Sequence, residues 1–153
     1  MTSGPDAVGV SDLGPPPGYE PLGLFARECF EALVGPIYAA TGTEAGVARF
    51  GFRAEARHAN PFGVVHGGML VTVVDTMMGA TVFHSLDGQT CATISLTTDF
   101  LAGARVGDWI EGEASLTRLT RAVAFVRGSL RVGDRPILTA TGTWAVIDRP
   151  PPG

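Results

Sequence analysis

The 153-residue chain contains no lysine, so all eleven of its basic residues are arginines. Fifteen acidic residues outnumber them, giving a formal net charge of −4, and no block of basic residues breaks that balance. Non-specific nucleic-acid binding, which depends on cations neutralising phosphates, is thereby disfavoured. An all-arginine set could reflect a preference for bidentate phosphate contacts, but a coding bias explains it more simply. Cysteine is scarce too: Cys29 and Cys91 lie far apart without a metal-ligand spacing, and the N-terminus carries no basic segment followed by an apolar one. Two thiols in a reducing cytoplasm are the expectation. The histidines His58, His66 and His84, eight and eighteen residues apart with no neighbouring cysteine or carboxylate cluster, match no usual metal site. No Gly-x-Ser-x-Gly is present to signal a serine hydrolase. The most apolar run is short for a membrane span, is interrupted by glycines and holds a carboxylate near its centre, so a core helix is expected instead.

With 45% hydrophobic and 17% charged residues, the chain reads as one globular domain able to bury about two thirds of its unfolded surface. Glycine and proline dominate residues 1–18, and residues 149–153 contain three consecutive prolines, so both stretches read as tails around a domain at 19–148. Apolar residues at Leu22, Phe25, Ala26, Cys29, Phe30 and Leu33 predict an amphipathic helix from Pro21 to Val34. Two strands, Ile37 to Ala40 and Glu44 to Ala56, should follow. His58 to Gly63 carries turn chemistry in Asn60-Pro61 and Gly63, and a long helix begins near His66. That helix is apolar nearly all round, which predicts enclosure on every side. After Asp87-Gly88, alternation over 92–97, 110–117, 121–127 and 138–146 predicts four half-buried strands. Short turns between them, including 102–108 and 132–136, favour an antiparallel meander. The predicted class is α+β, with a single antiparallel sheet curled around one long helix.

Within that helix stands Asp75, the only formally charged residue between Arg57 and Asp87. Removing a carboxylate from water costs several kcal/mol unless the charge is paired or neutralised. A bond to a backbone group or a distant arginine is one reason for it to be there; catalysis is the other. At the start of the helix, His66-Gly67-Gly68 leaves the first backbone N–H groups uncovered by side chains, and a helix N-terminus suits a developing oxyanion. Close helix packing would explain the glycines equally well. Asp75 lies eight residues beyond Gly67, about 12 Å along the axis, so one carbonyl carbon is out of reach of both. If both act on one substrate, Asp75 must meet the Gly67 end of a second, oppositely running copy, as a two-fold dimer would supply. Around Asp75 the same face presents Gly68, Thr72 and Gly79, and Gly79 clears space for the reacting group.

The string His58-Ala59-Asn60-Pro61-Phe62-Gly63-Val64-Val65-His66-Gly67-Gly68, with Asp75 eight positions after Gly67 and Gly79 four further on, strongly resembles the signature of hotdog-fold acyl-CoA thioesterases of the phenylacetate-degradation (PaaI-like) type. The resemblance in element order runs from about Gly18 to Asp148. It implies a homodimer with two composite active sites, commonly paired into a homotetramer, and an acyl-CoA substrate with no cofactor. Asp75 would be the catalytic carboxylate, as general base or nucleophile, and the Gly67 N–H would polarise the thioester carbonyl. Asn60 would hold the attacking water or order the loop, His66 would support Asn60 or the helix start, and Thr93 would stand near the acid. Strict alternation places Thr93 with Ser95 and Thr97, away from Ile94 and Leu96, so reaching Asp75 would require a strand edge or a bulge. Gly68, Thr72 and Gly79 would border the substrate. Arg118 and Arg121 would either contact coenzyme A phosphates or simply face solvent. The acyl group stays open among aryl, short and medium chains. A non-catalytic acyl-CoA binder and an enoyl-CoA hydratase or dehydratase are the alternatives, the latter weakened because no Asp and His share the required segment.

Overall fold

A computed structural model of the chain describes residues 14–23, 28–43, 47–86 and 89–147. Seven strands, β1 (Tyr19–Pro21), β2 (Ile37–Ala40), β3 (Val47–Arg53), β4 (Thr90–Phe100), β5 (Trp109–Leu119), β6 (Val123–Val132) and β7 (Arg135–Ile147), form one sheet in the order β1-β2-β3-β5-β6-β7-β4. Every neighbouring pair is antiparallel. A five-residue helix α1 (Phe30–Val34) precedes β2, and the eighteen-residue helix α2 (Gly67–His84) packs against the inner face of the sheet. The architecture is the hotdog arrangement, α+β with a sheet curled around one main helix.

Period-two patterning makes the sheet one-sided. On β5, Ile110, Gly112 and Ala114 are buried while Glu113 faces out, where it pairs with Arg49 at 3.4 Å. Val126, Leu130, Leu138 and Trp144 extend the inner face across β6 and β7, and α2 closes it with Val73, Val74, Met77 and Met78, all 2% exposed or less. Two glycines let the helix come this close: a Cβ at Gly112 would lie 2.3 Å from the Met77 sulfur, and one at Gly128 2.9 Å from that of Met78. The methionines thus fill volume that the strands leave empty.

Four expectations need correction. The helix predicted from Pro21 reaches only from Phe30 to Val34; Tyr19–Pro21 is an edge strand, and the Leu22 N–H donates to the Ile37 carbonyl, so pairing with β2 outweighs the apolar periodicity there. Residues 24–27 of that prediction, and residues 44–46 of the next strand, lie outside the described residues, and Ala56–His58 is a 3-10 turn. The meander holds only for β5-β6-β7. Residues 101–108 cross from the β4 edge to the middle of the sheet, held by Leu101 N–H to the Ile137 carbonyl and Val65 N–H to the Ala104 carbonyl, with Ala104 fully buried. Finally, α2 is not enclosed on every side: Thr72, Asp75, Thr76 and Gly79 are half-buried, and Gly68 and Phe83 are exposed. One sheet can wrap only one flank of a helix. Of the expected tails, residues 1–13 and 148–153 lie outside the described residues, while the Thr41 N–H donates to the Gly18 carbonyl at 2.9 Å. No described helix is long and apolar enough to cross a membrane.

Candidate active site

The loop before α2 is built by its own side chains. Asn60 Oδ1 accepts from the N–H groups of Phe62 (2.9 Å) and Val64 (3.3 Å), and Gly63 adopts φ 76°, the left-handed conformation that glycine accepts without strain. These two bonds order the loop. The loop returns through His66 N–H to the His58 carbonyl at 2.8 Å. His58 is buried, with its ring 4.8 Å from that of Phe52 and its Nδ1 accepting from the Glu55 N–H at 2.9 Å. Burial, and then the neighbouring Arg57 charge, hold its pKa below the usual histidine value.

His66 is the N-cap of α2. Its Nδ1 accepts from the Gly68 N–H at 2.9 Å, which requires that nitrogen to be unprotonated, and its carbonyl accepts from Met69 (2.9 Å) and Leu70 (3.3 Å). His66 thus supports the helix start. One terminal donor is left: among the described residues, the Gly67 N–H has no partner. It lies at the positive end of an eighteen-residue helix. Thr72 is committed to its own helix, its hydroxyl donating to the Gly68 carbonyl at 2.9 Å.

Two turns on, the Thr93 hydroxyl donates to Asp75 Oδ1 at 3.0 Å. The bulge that this contact needs is present: β4 pairs with β7 as Thr93↔Trp144 and then Ser95↔Thr143, leaving Ile94 as the extra residue. Thr93 shares the inner face with buried Trp144, while Ser95 turns out to meet the Thr143 hydroxyl at 2.8 Å. Before the bulge the faces are reversed from the predicted alternation, with Thr93 inward and Ala92 exposed, and Ile94, the extra residue, is 58% exposed rather than part of the core. Asp75 and Thr93 open onto a cleft of about 260 Å³ with Gly79, Phe83, Cys91 and Trp144. A Cβ at Gly79 would stand 3.4 Å from Trp144 Nε1, so the glycine keeps this corner clear. The Cys91 thiol points to the Gly79 carbonyl at 3.7 Å; burial, and then the nearby Asp75 charge, push its pKa up, which suits a spectator thiol rather than a thiolate nucleophile.

One chain does not bring all the predicted residues together. Gly68, His66 and Thr72 line a separate cleft of about 460 Å³ with Phe30 and Arg57, and neither His66 nor Gly67 borders the Asp75 cleft. Three contributors carried no readable signal in the sequence. Phe100 covers Gly67, whose Cβ would meet its ring at 3.3 Å, and Glu31 and Trp144 line the Asp75 cleft. Cys91 was findable, two residues before Thr93 on the same strand face. Among the described residues, no group of three or more His, Cys, Asp or Glu side chains could hold a metal ion. Arg118 and Arg121 are exposed beside the β5–β6 turn.

The pattern of the thioesterase superfamily matches residues 62–138. A provisionally named esterase of Pseudomonas aeruginosa is 32% identical over 130 residues, covering 84% of this chain and 95% of its own. The crystal structure of a phenylacetic acid degradation-related protein from Ralstonia eutropha is 31% identical, covers 90% of this chain and 96% of its own, and superposes with a TM-score of 0.68. The PaaI protein from the phenylacetic acid degradation operon of Escherichia coli, at 19% identity and a TM-score of 0.69 over 76% of this chain and 83% of its own, shares the fold.

Proposed function

We propose, from the premise that the chain belongs to the thioesterase superfamily and is a thioester hydrolase, that it hydrolyses acyl-CoA thioesters at a composite site shared by two subunits. In this reading Asp75 activates water or attacks the thioester carbonyl itself. Thr93 orients the acid through Oδ1, leaving Oδ2 for the reaction. The unpartnered Gly67 N–H of the second subunit takes the oxyanion of the tetrahedral intermediate, where one donor can contribute about 10²–10³ in rate. The observations that carry it are a threonine-held carboxylate and, on the same helix, a terminal donor with no partner among the described residues.

Support for the second subunit comes from what one chain leaves open. Among the described strands, β4 is an eleven-residue edge with one side unpaired, carrying Ile94 (58% exposed) and Phe100 (53%) and followed by Leu101 (53%). Long exposed edges with apolar neighbours are avoided unless another strand covers them. Antiparallel pairing of β4 with its copy about a two-fold axis would set the two α2 helices side by side in opposite directions. Each Asp75 would then face the other helix's Gly67, and the half-buried flank of α2 would be covered. Paired dimers would make the homotetramer.

Asp75→Asn tests the reading, since it keeps shape and removes basicity. With free-thiol release from an acyl-CoA panel as the assay, turnover should fall at least about 100-fold while circular dichroism and molecular mass stay unchanged. Wild-type turnover in the variant would remove Asp75 from the mechanism.

A further inference from the structure

Helix α1 was expected to be an ordinary amphipathic helix, yet its one acidic residue within Phe30–Val34, Glu31, lines the Asp75 cleft. The helix is tied in place from behind. Arg57 Nη1 donates to the Leu33 carbonyl at 2.6 Å, its Nη2 donates to that of Gly35, and its remaining reach goes to Glu55. That arginine is therefore committed to backbone and to Glu55. Among the described residues, Glu31 has neither an ion pair nor a side-chain hydrogen bond, and no arginine or histidine lines the cleft. Both charges in the cleft are negative, and the rest of its lining is uncharged, from the hydroxyls of Thr76 and Thr93 to the rings of Phe83 and Trp144.

We infer that Glu31 is a specificity-determining residue that makes the cleft discriminate acyl groups by charge, rejecting those with an anionic terminus and admitting uncharged ones. This rests on the thioesterase reading, with the acyl group seated in the Asp75 cleft. Asp75 stands at the reacting end of every substrate and acts on all of them alike. Glu31, on a different element, meets the part of the acyl group that varies. A second carboxylate brought there meets a like charge, and this chain lines the cleft with no cation to offset it. Like charges a few Å apart on a partly screened surface separate matched substrates by about tenfold.

The test compares pentanoyl-CoA with glutaryl-CoA, which share a five-carbon acyl chain and differ in a terminal methyl against a carboxylate. The wild type should favour pentanoyl-CoA in kcat/KM. Glu31→Gln should raise the glutaryl-to-pentanoyl ratio of kcat/KM about tenfold, and Glu31→Asp should keep the wild-type preference. A Glu31→Gln enzyme that changes both substrates by the same factor, or neither, overturns the proposal. Should that variant fail to fold, the wild type carries the test. Raising the salt concentration to 1 M should narrow its pentanoyl-to-glutaryl ratio, because charges on a partly exposed surface are screened, and an unchanged ratio overturns the proposal. A wild type that hydrolyses no acyl-CoA at all overturns the thioesterase reading itself. That result is distinct from an active enzyme whose ratio does not respond.

Discussion

On the flank of α2 that faces the sheet, Val74, Met77, Met78 and Val82 are completely buried, whereas on the other flank Thr72, Asp75, Thr76 and Gly79 stay half-open. Both flanks belong to one helix in which only Asp75 carries a formal charge. The first is shaped by volume: methionine sulfurs fit against Gly112 and Gly128 so closely that a single methyl would collide. The second is shaped by groups left unfilled, a glycine without a side chain at position 79 and, at position 67, a backbone donor without an acceptor among the described residues. Packing fills one flank, and the other is left incomplete.

The two flanks should therefore fail in different ways. The largest effect belongs to Gly67→Pro. Proline is tolerated at the first helical position, and His66 already has the extended ψ of 135° that a following proline requires, so the substitution removes the donor and asks only that the exposed Phe100 ring, 3.3 Å from a Cβ there, move aside. kcat should drop about 10²–10³-fold with the fold intact. Mixed dimers of Gly67→Pro with Asp75→Asn sharpen this further. If the site is shared between subunits, each mixed dimer keeps one undamaged site, and activity returns to about half the wild-type value per dimer. If each chain holds its own site, no activity returns. On the packed flank the pattern should reverse: Met77→Ala should cost about 2–5 kcal/mol in denaturant unfolding while kcat per folded molecule stays within about twofold. A large loss of kcat in a folded Met77→Ala enzyme would erase the distinction between the flanks.

The smallest effect is a pH dependence from His58, beneath the loop. Its pKa is lowered from 6.5 in the folded chain, so the unfolded chain takes up the proton first. Its contribution to stability is complete above about pH 6.5 and declines as the pH falls from there toward the lowered folded value. His58→Gln should flatten this part of the wild-type curve, measured as urea midpoints between pH 5 and 7.5. An identical slope in the variant would assign it to other groups.

What the sequence disclosed follows from locality. Gly67, His66 and Asp75 are legible because caps, glycines and one charge in an apolar run are short-range signals, and the Asn60 loop is legible because asparagine, proline and glycine act on their own backbone. The longer strands are legible from their alternation. Less accessible was anything decided by a distant partner. Tyr19–Pro21 becomes a strand only because β2 lies beside it, and residues 101–108 look like a hairpin turn until β7 claims the position next to β4. Glu31 reads as one more polar residue on an amphipathic helix, since its place on the cleft depends on Arg57 holding α1 from behind. The open flank was missed for a similar reason. Hydrophobicity states that a surface should be covered, not that the same chain must cover it.

The bulge at Ile94 has a consequence of parity. Along β4, whether a residue looks toward the helix or away from it is settled by counting, odd or even, and Ile94 is the single step that changes the count. Thr93 reaches Asp75 and Leu96 reaches the core only because an odd number of residues is inserted between two even-spaced runs. The acid's partner is thus fixed by how many residues precede it as well as by which residue it is. Deleting Ile94 would remove no catalytic group, yet it would put one half of the strand out of step with α2.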